Sequence, residues 1–307
     1  MQIVRDLDAY QANADLLLTI GVFDGVHLGH REVLKRLRAQ RAPGLIVGAM
    51  TFEHHPLAFL QPGHSPKALT TMDEKINLLD TCGLDLLFLL PFDERIQQQQ
   101  PESFLRDVIV KRLSTRELVV GENWKFGKDR AGDVAVAARV LKDTGCKFDV
   151  AALVGSDGQR ISSSRIRQLI GDRRFEQADQ LLGTPFTVRG VVTGGDSRGH
   201  ALGYPTANLE VPEEKLIPTD GVYAASAHYD GANYRAVVSI GHKPTFGGRD
   251  TAFEVYLLGF NRSVYGEQLA LQSFRFLREQ QRFPSAEALV EQIKLDVARA
   301  GGPSPGP

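Results

Sequence analysis

The sequence predicts an α/β chain in two parts. A doubly wound, Rossmann-like parallel sheet is expected over residues 1–184. A small antiparallel β-barrel with a C-terminal helix is expected over residues 185–300, and a disordered tail over 301–307. Three observations carry this reading. At 307 residues the chain is too long for one ordinary hydrophobic core. Up to about residue 184, short apolar runs alternate with amphipathic stretches, the order that builds a mainly parallel sheet. Beyond Pro185 the helical spacing stops, and apolar runs recur at short intervals punctuated by Gly, Asp and Pro.

In the first part, "LLLTIG" (16–21), "GLIVGAMTF" (44–52), "DLLFLLPF" (85–92), "ELVVGE" (117–122) and "FDVAAL" (148–153) suit buried strands. Helices are expected between them over 29–41, 73–82, 101–113 and 132–144, the last stopped by Gly145. In the second part, "FTVRGVVTGG", "GVYAASAHYDG", "NYRAVVSIG", "AFEVYLLGF" and "QLALQSFRF" read as strands, and "SAEALVEQIKLDVARA" as the closing helix. The tail "GGPSPGP" lacks the apolar residues needed to order it.

Composition narrows the function classes. The chain is 42% hydrophobic and 24% charged, as expected of a soluble globular protein. A net charge of −1 without a long Lys/Arg run argues against a nucleic-acid partner. The longest apolar run, "LLFLLPF", is too short to span a membrane, and "MQIVRDLDAY" has no apolar signal region, so a cytoplasmic location is expected. Cys82 and Cys146 lack metal-site spacing and read as packed thiols. No obligate protein partner is evident.

The most informative stretch is "TIGVFDGVHLGH" (19–30). A strand that ends in glycine and turns into a helix presents backbone N–H groups and the positive end of the helix dipole, which together favour an anion such as phosphate. Gly21 and Gly25 permit close approach, and His27 and His30, three apart, are able to point at the same anion. A plain capped helix with two surface histidines is the alternative; zinc would need third and fourth ligands, which are not nearby in sequence. In "ISSSRIR" (161–167), Ser162, Ser163 and Ser164 are placed to cap a helix. Arg160, Arg165 and Arg167 offer planar donors suited to phosphate, or are simply solvated. "GENWKFGK" (121–128) is one residue too long for a phosphate loop and continues with Asp129 instead of Ser or Thr, so that reading is rejected. In "GYPTANL" (203–209), Thr206 and Asn208 alternate to one face of an extended chain and offer hard oxygen ligands suited to Mg²⁺. Glu254 sits in the apolar "AFEVYLL", either exposed on the outer strand face or placed to accept a proton.

These motifs together resemble those of bacterial bifunctional riboflavin kinase/FAD synthetases. "GVFDGVHLGH" is similar to the G-x-F-D-x-x-H-x-G-H motif of nucleotidylyltransferases, and "TFEHHP", "VVGENWKFGKDRAGD" and "ISSSRIR" follow in the family's order. The second half resembles the riboflavin kinase module through "GGDSRGHALGYPTANL", "DGVYAA", "SIGHKPTFGG", "FEVYLLGFNRSVYG" and "FLREQQRF". The likeness spans roughly residues 15 to 299.

The resemblance implies two ATP-dependent reactions. Riboflavin is phosphorylated to FMN in the second half, and FMN is adenylylated to FAD with release of pyrophosphate in the first. In the first half it implies that Gly21, Phe23, Asp24, Gly25, Arg160, Ser162, Ser163, Ser164 and Arg167 hold ATP. His27 and His30 would neutralise phosphoryl charge, Asn123 would contact substrate phosphate, and His55 would contact flavin. In the second half it implies a nucleotide loop at Gly195 and Gly199, Mg²⁺ and ATP phosphates on Thr206 and Asn208, flavin contacts at Gly203, Tyr223 and Arg278, and Glu254 as general base. The sequence departs from the family pattern at His54, at His200 in place of a usual Arg, and at Tyr256 and Gly259 after Glu254. Two other readings stay open at this point: an adenylyltransferase whose barrel binds flavin without kinase activity, and a nucleotidylyltransferase acting on a different phosphorylated substrate.

Overall fold

The computed structural model describes residues 1–152, 158–194, 204–242, 251–260 and 262–301. Gly195, Gly199, His200, Gly203 and the tail beyond Gly301 lie outside the described residues. The chain divides into two compact units, Met1–Ser163 and Ser164–Pro307.

The first unit is an open parallel sheet. Its strands are β1 (Gln2–Val4), β2 (Asp15–Ile20), β3 (Leu45–Phe52), β4 (Leu86–Leu90), β5 (Thr115–Gly121) and β6 (Lys147–Ala151), in the order β1-β4-β3-β2-β5-β6. Strand β2 is central and pairs in parallel with β3 and β5. Its alternate residues explain its run of apolar side chains: Leu16, Leu18 and Ile20 enter the core on one face of the sheet, and Leu17 enters the core on the other. Helix α1 (Leu28–Ala39) packs Val33, Leu34 and Leu37 onto the Leu17 face. The short α2 (Pro56–Leu60) and α3 (Met72–Thr81) follow β3, and α4 (Val134–Leu141) precedes β6. The single α-helix expected over 101–113 is corrected here. After one turn at Pro101–Ser103 it continues as a π-helix over Phe104–Arg112, with Leu113 N–H bonded to the carbonyl of Val108.

The second unit is a closed antiparallel barrel. Strands β7 (Val188–Thr193), β8 (Ala207–Glu210), β9 (Gly221–Tyr229), β10 (Ala232–His242), β11 (Thr251–Leu257) and β12 (Gln268–Arg278) follow the order β10-β11-β8-β7-β12-β9. Helix α5 (Ser163–Gly171) leads into α6 (Phe175–Leu182), whose Phe175 packs edge-on against Tyr223 of β9 and lies 5.7 Å from Phe274 of β12. Helix α7 (Ala286–Ala300) is the closing helix.

One buried ion pair ties α7 to the barrel. Arg278 donates through Nε and Nη2 to the Asp296 carboxylate at 2.8–3.1 Å, and Gln292 donates to the same group at 3.0 Å. Asp296 is only 1% exposed. Removing one partner strands the other charge in a dry place, which typically costs about 3–5 kcal/mol. Asp296→Ala is therefore expected to lower the unfolding free energy by about that amount, checked by urea titration against wild type.

Candidate active sites

The first site is built at the carboxyl ends of β2, β3 and β5, where ligands bind in sheets of this kind. Leaving β2, the chain turns through residues 21–27 with Phe23 (φ 51°) and Val26 (φ 38°) in the left-handed region, which few side chains accept without a compensating environment. Burial supplies it, since both side chains are 2% exposed or less. Gly21 leaves room for the Phe23 ring, 3.3 Å from where a Cβ would stand, and Gly25 takes φ 82°.

Asp24 acts here as an internal brace. It is buried, and its Oδ1 accepts from the amides of Leu69 and Thr70 at 2.8 and 3.3 Å. The Gly25 amide donates to Thr70 Oγ1 at 3.1 Å, and Ser163 Oγ donates to the Asp24 carbonyl at 2.9 Å. The Gly25 N–H is therefore engaged within the protein. Among the described residues the amides of Leu28 and Gly29, at the first turn of α1, have no acceptor, and they are the donors open to an anion.

His27 is the N-cap of α1, its Nδ1 accepting from the His30 amide at 3.3 Å. The two imidazoles stack with centroids 3.7 Å apart and planes 14° from parallel, and Phe23 meets His30 edge-on at 5.1 Å. Burial, then His27, then Lys75 push the His30 pKa well below its usual value, so this imidazole is neutral at neutral pH. In this state His30 offers a hydrogen bond, and the full positive charge beside it belongs to Lys75. That lysine on α3 is only 6% exposed and donates to the Phe52 carbonyl at 3.3 Å. Burial lowers its pKa, and Asp24 works in the opposite direction.

The other first-half residues are more scattered. Asn123 is exposed in the turn after β5, beside a buried stack of Trp124 on Phe126 at 4.0 Å. His55 caps α2, accepting from the Leu57 amide at 3.1 Å. Ser162 is half-buried and Arg160 exposed, while Ser164, Arg165 and Arg167 lie along α5 in the second unit. Sequence reasoning missed Lys75, although its place four residues before the buried Leu79 marks it as inward-facing. It also missed an aromatic cluster at the carboxyl ends of β3 and β4, where Phe92 meets Phe52 at 5.1 Å and the exposed Phe59 at 6.0 Å. A cavity of about 560 Å³ among Val4, Arg5, Tyr10, Ile46 and Leu86 gathers none of these residues.

The second site lies on the outer wall of the barrel. Thr193, Asn208, Glu254 and Ser239 occupy consecutive cross-strand positions on β7, β8, β11 and β10. Cross-strand partners share a face, and the intervening Val192, Leu209, Phe253, Val255 and Val238 point into the core. The polar row is thus outside, with Glu254 and Asn208 half-buried. Asn208 Nδ2 donates to the Gly194 carbonyl at 3.2 Å, which fixes the amide and leaves Oδ1 as its acceptor. Thr206 is exposed, two residues before Asn208. Tyr204 meets Tyr256 edge-on at 5.4 Å. Two residues expected to contact flavin are engaged otherwise. Tyr223 is wholly buried with its hydroxyl on the Thr219 carbonyl, and the Arg278 guanidinium is held by Asp296. Neither presents a free polar group to a ligand in this structure. Among the described residues no three His, Cys, Asp or Glu side chains gather as a metal-holding group.

Comparison with known proteins joins the two sites. The FAD synthetase family model matches residues 9–165, and the riboflavin kinase model matches residues 182–302. A bifunctional riboflavin kinase/FMN adenylyltransferase of Escherichia coli K12 is 35% identical over 286 residues, covering 92% of this chain and 91% of the relative. The chain belongs to the bifunctional riboflavin kinase/FMN adenylyltransferase family. Other members include the Pseudomonas fluorescens protein, 36% identical over 98% of this chain and 97% of its own, and the Listeria monocytogenes protein, 33% identical over 91% and 90%. The FAD synthetase match contains His27, His30 and Asn123, and the riboflavin kinase match contains Thr206, Asn208 and Glu254. A solved structure described as a macrolide-efflux protein from Streptococcus pneumoniae matches 99% of both chains with a TM-score of 0.88 at 29% identity. Efflux is a property of that description alone; among the described residues of this family member no helix is long and apolar enough to cross a membrane.

Proposed function

We infer that this chain converts riboflavin to FMN and FMN to FAD, using ATP in both steps. The observation that carries the reading is the presence of both family matches, in one chain, with relatives that align along more than nine-tenths of their own length. In the barrel, the riboflavin primary hydroxyl attacks the γ-phosphorus of ATP, the bond to the β-phosphate oxygen breaks, and ADP leaves. In the sheet unit, an FMN phosphate oxygen attacks the α-phosphorus of a second ATP and pyrophosphate leaves. Both transfers depend on aligning reactants and stabilising charge rather than on covalent participation by the protein.

The roles follow from the surroundings. His27, His30 and the first-turn amides of α1 receive phosphate oxygens, with Arg160, Ser162 and Ser163 of the same unit on the same ATP and Asn123 on substrate phosphate. The aromatic cluster of Phe52, Phe59 and Phe92, with His55, offers a flat apolar seat for FMN. Glu254 accepts the riboflavin proton. Thr206 and Asn208 fit Mg²⁺, because a hydroxyl and an oriented amide oxygen are the hard ligands it takes. When bound there, the ion would offset negative charge on the ATP phosphates. We place the functional boundary near residues 184–185 and the protein in the cytoplasm, with small molecules as its partners. Purified protein given riboflavin and Mg-ATP is expected to yield FMN and then FAD on chromatography. FAD from FMN without FMN from riboflavin would instead mean a barrel that only binds flavin.

A further inference from the structure

We propose that Lys75 is a positioning residue of the adenylyl-transfer site, its ammonium anchored on the Phe52 carbonyl as the fixed cation behind the His27–His30 pair. The inference rests on the reading that this site transfers an adenylyl group. Four observations support it. Lys75 is among the few charged side chains buried in this unit, and an ammonium taken out of water needs a reason to be there. It has three donors and makes one hydrogen bond, to the Phe52 carbonyl at 3.3 Å. That carbonyl closes β3, at the carboxyl end of the sheet where the His-bearing loop also emerges from β2. The carboxylate acting on Lys75 is Asp24, which the Leu69 and Thr70 amides hold in place in the same loop.

The electrostatics agree. The groups that bear on His30 are His27 on its own turn and Lys75 from α3; Asp24 acts on Lys75 from the loop. Burial, His27 and Lys75 all disfavour a proton on His30, so the imidazole meets its substrate as a neutral hydrogen-bond donor. The fixed charge then comes from a lysine that need not gain or lose a proton during the reaction. Removing the ammonium relieves one force that holds His30 deprotonated, so its pKa should rise.

The test is FAD formation from FMN and ATP across a pH series for wild type, Lys75→Met and Lys75→Arg, with riboflavin phosphorylation and thermal unfolding measured on the same samples. Lys75→Met should lower kcat by roughly ten- to a hundredfold, the range seen when an orienting neighbour is lost. The acid limb of its profile should move to higher pH, while riboflavin phosphorylation stays at the wild-type rate. Lys75→Arg, which keeps the charge, should restore the profile and most of the rate. An unmoved acid limb in Lys75→Met overturns the proposal, as does an equal loss of both reactions in a variant that unfolds like wild type. Lys75→Gln carries the same readout if the Met variant does not fold. Wild-type protein that makes FMN but no FAD overturns the underlying reading, and this inference with it.

Discussion

His30→Ala is expected to cut FAD formation from FMN by about 10²–10³-fold, the usual loss when one preorganised donor is removed from a developing oxyanion. The expectation starts from the ring's surroundings. Phe23 fixes one side, His27 stacks on the other, and the loop beneath is braced by Asp24. A donor held this firmly needs no reorganisation when charge builds on the α-phosphate. FMN formation from riboflavin should continue at the wild-type rate, because the residues proposed for that step are the polar row on the barrel. His27 needs two variants, since it is the helix cap as well as a proposed phosphate contact. His27→Ala loses the cap as well, which typically costs about 0.5–2 kcal/mol. His27→Ser keeps a capping oxygen, so its stability should stay near wild type while FAD synthesis still falls. Near-normal FAD synthesis by His30→Ala would remove the histidines from the transfer step.

Glu254→Gln is expected to slow riboflavin phosphorylation by about 10²–10⁴-fold, the range for loss of a general base. The substitution keeps size and hydrogen-bonding reach and removes the basic oxygen. Because Glu254 stands across from Asn208, a change in shape would disturb that proposed phosphate-side residue too, and Gln avoids that. KM for Mg-ATP should change little, so the loss should fall on kcat. Supplied FMN should still be converted to FAD. A kinase rate within a few-fold of wild type would return Glu254 to the role of a polar residue on an outer strand face.

The strands were legible because a parallel sheet buries both faces, which leaves continuous apolar runs such as "LLLTIG" and "DLLFLLPF". Strand β1 was not, since three residues at a sheet edge carry no pattern. The π-helix over Phe104–Arg112 was not either, because its apolar spacing reads equally well as an α-helix. At the first site, the glycines and histidines stood out by their density within a strand-to-helix turn. What they do there was only partly legible. The Asp24 brace and the engaged Gly25 amide both depend on residues about 45 positions away, and Lys75 acts from a helix outside the motif. At the second site, Thr193 and Ser239 joined Asn208 and Glu254 only once the strand register was known.

The order of the six barrel strands has a consequence for how the protein behaves when concentrated. A closed ring gives every strand a neighbour on both sides, so among the described residues that unit exposes no long row of unpaired backbone groups on which another chain could template. The open sheet does have two edges, and both are poor templates. Strand β1 is three residues long, and β6 carries Lys147 and Asp149 at exposed or half-exposed positions near its start. Edge-to-edge aggregation through native strands is thereby disfavoured in both units, and self-association of the folded protein would have to use side chains rather than backbone.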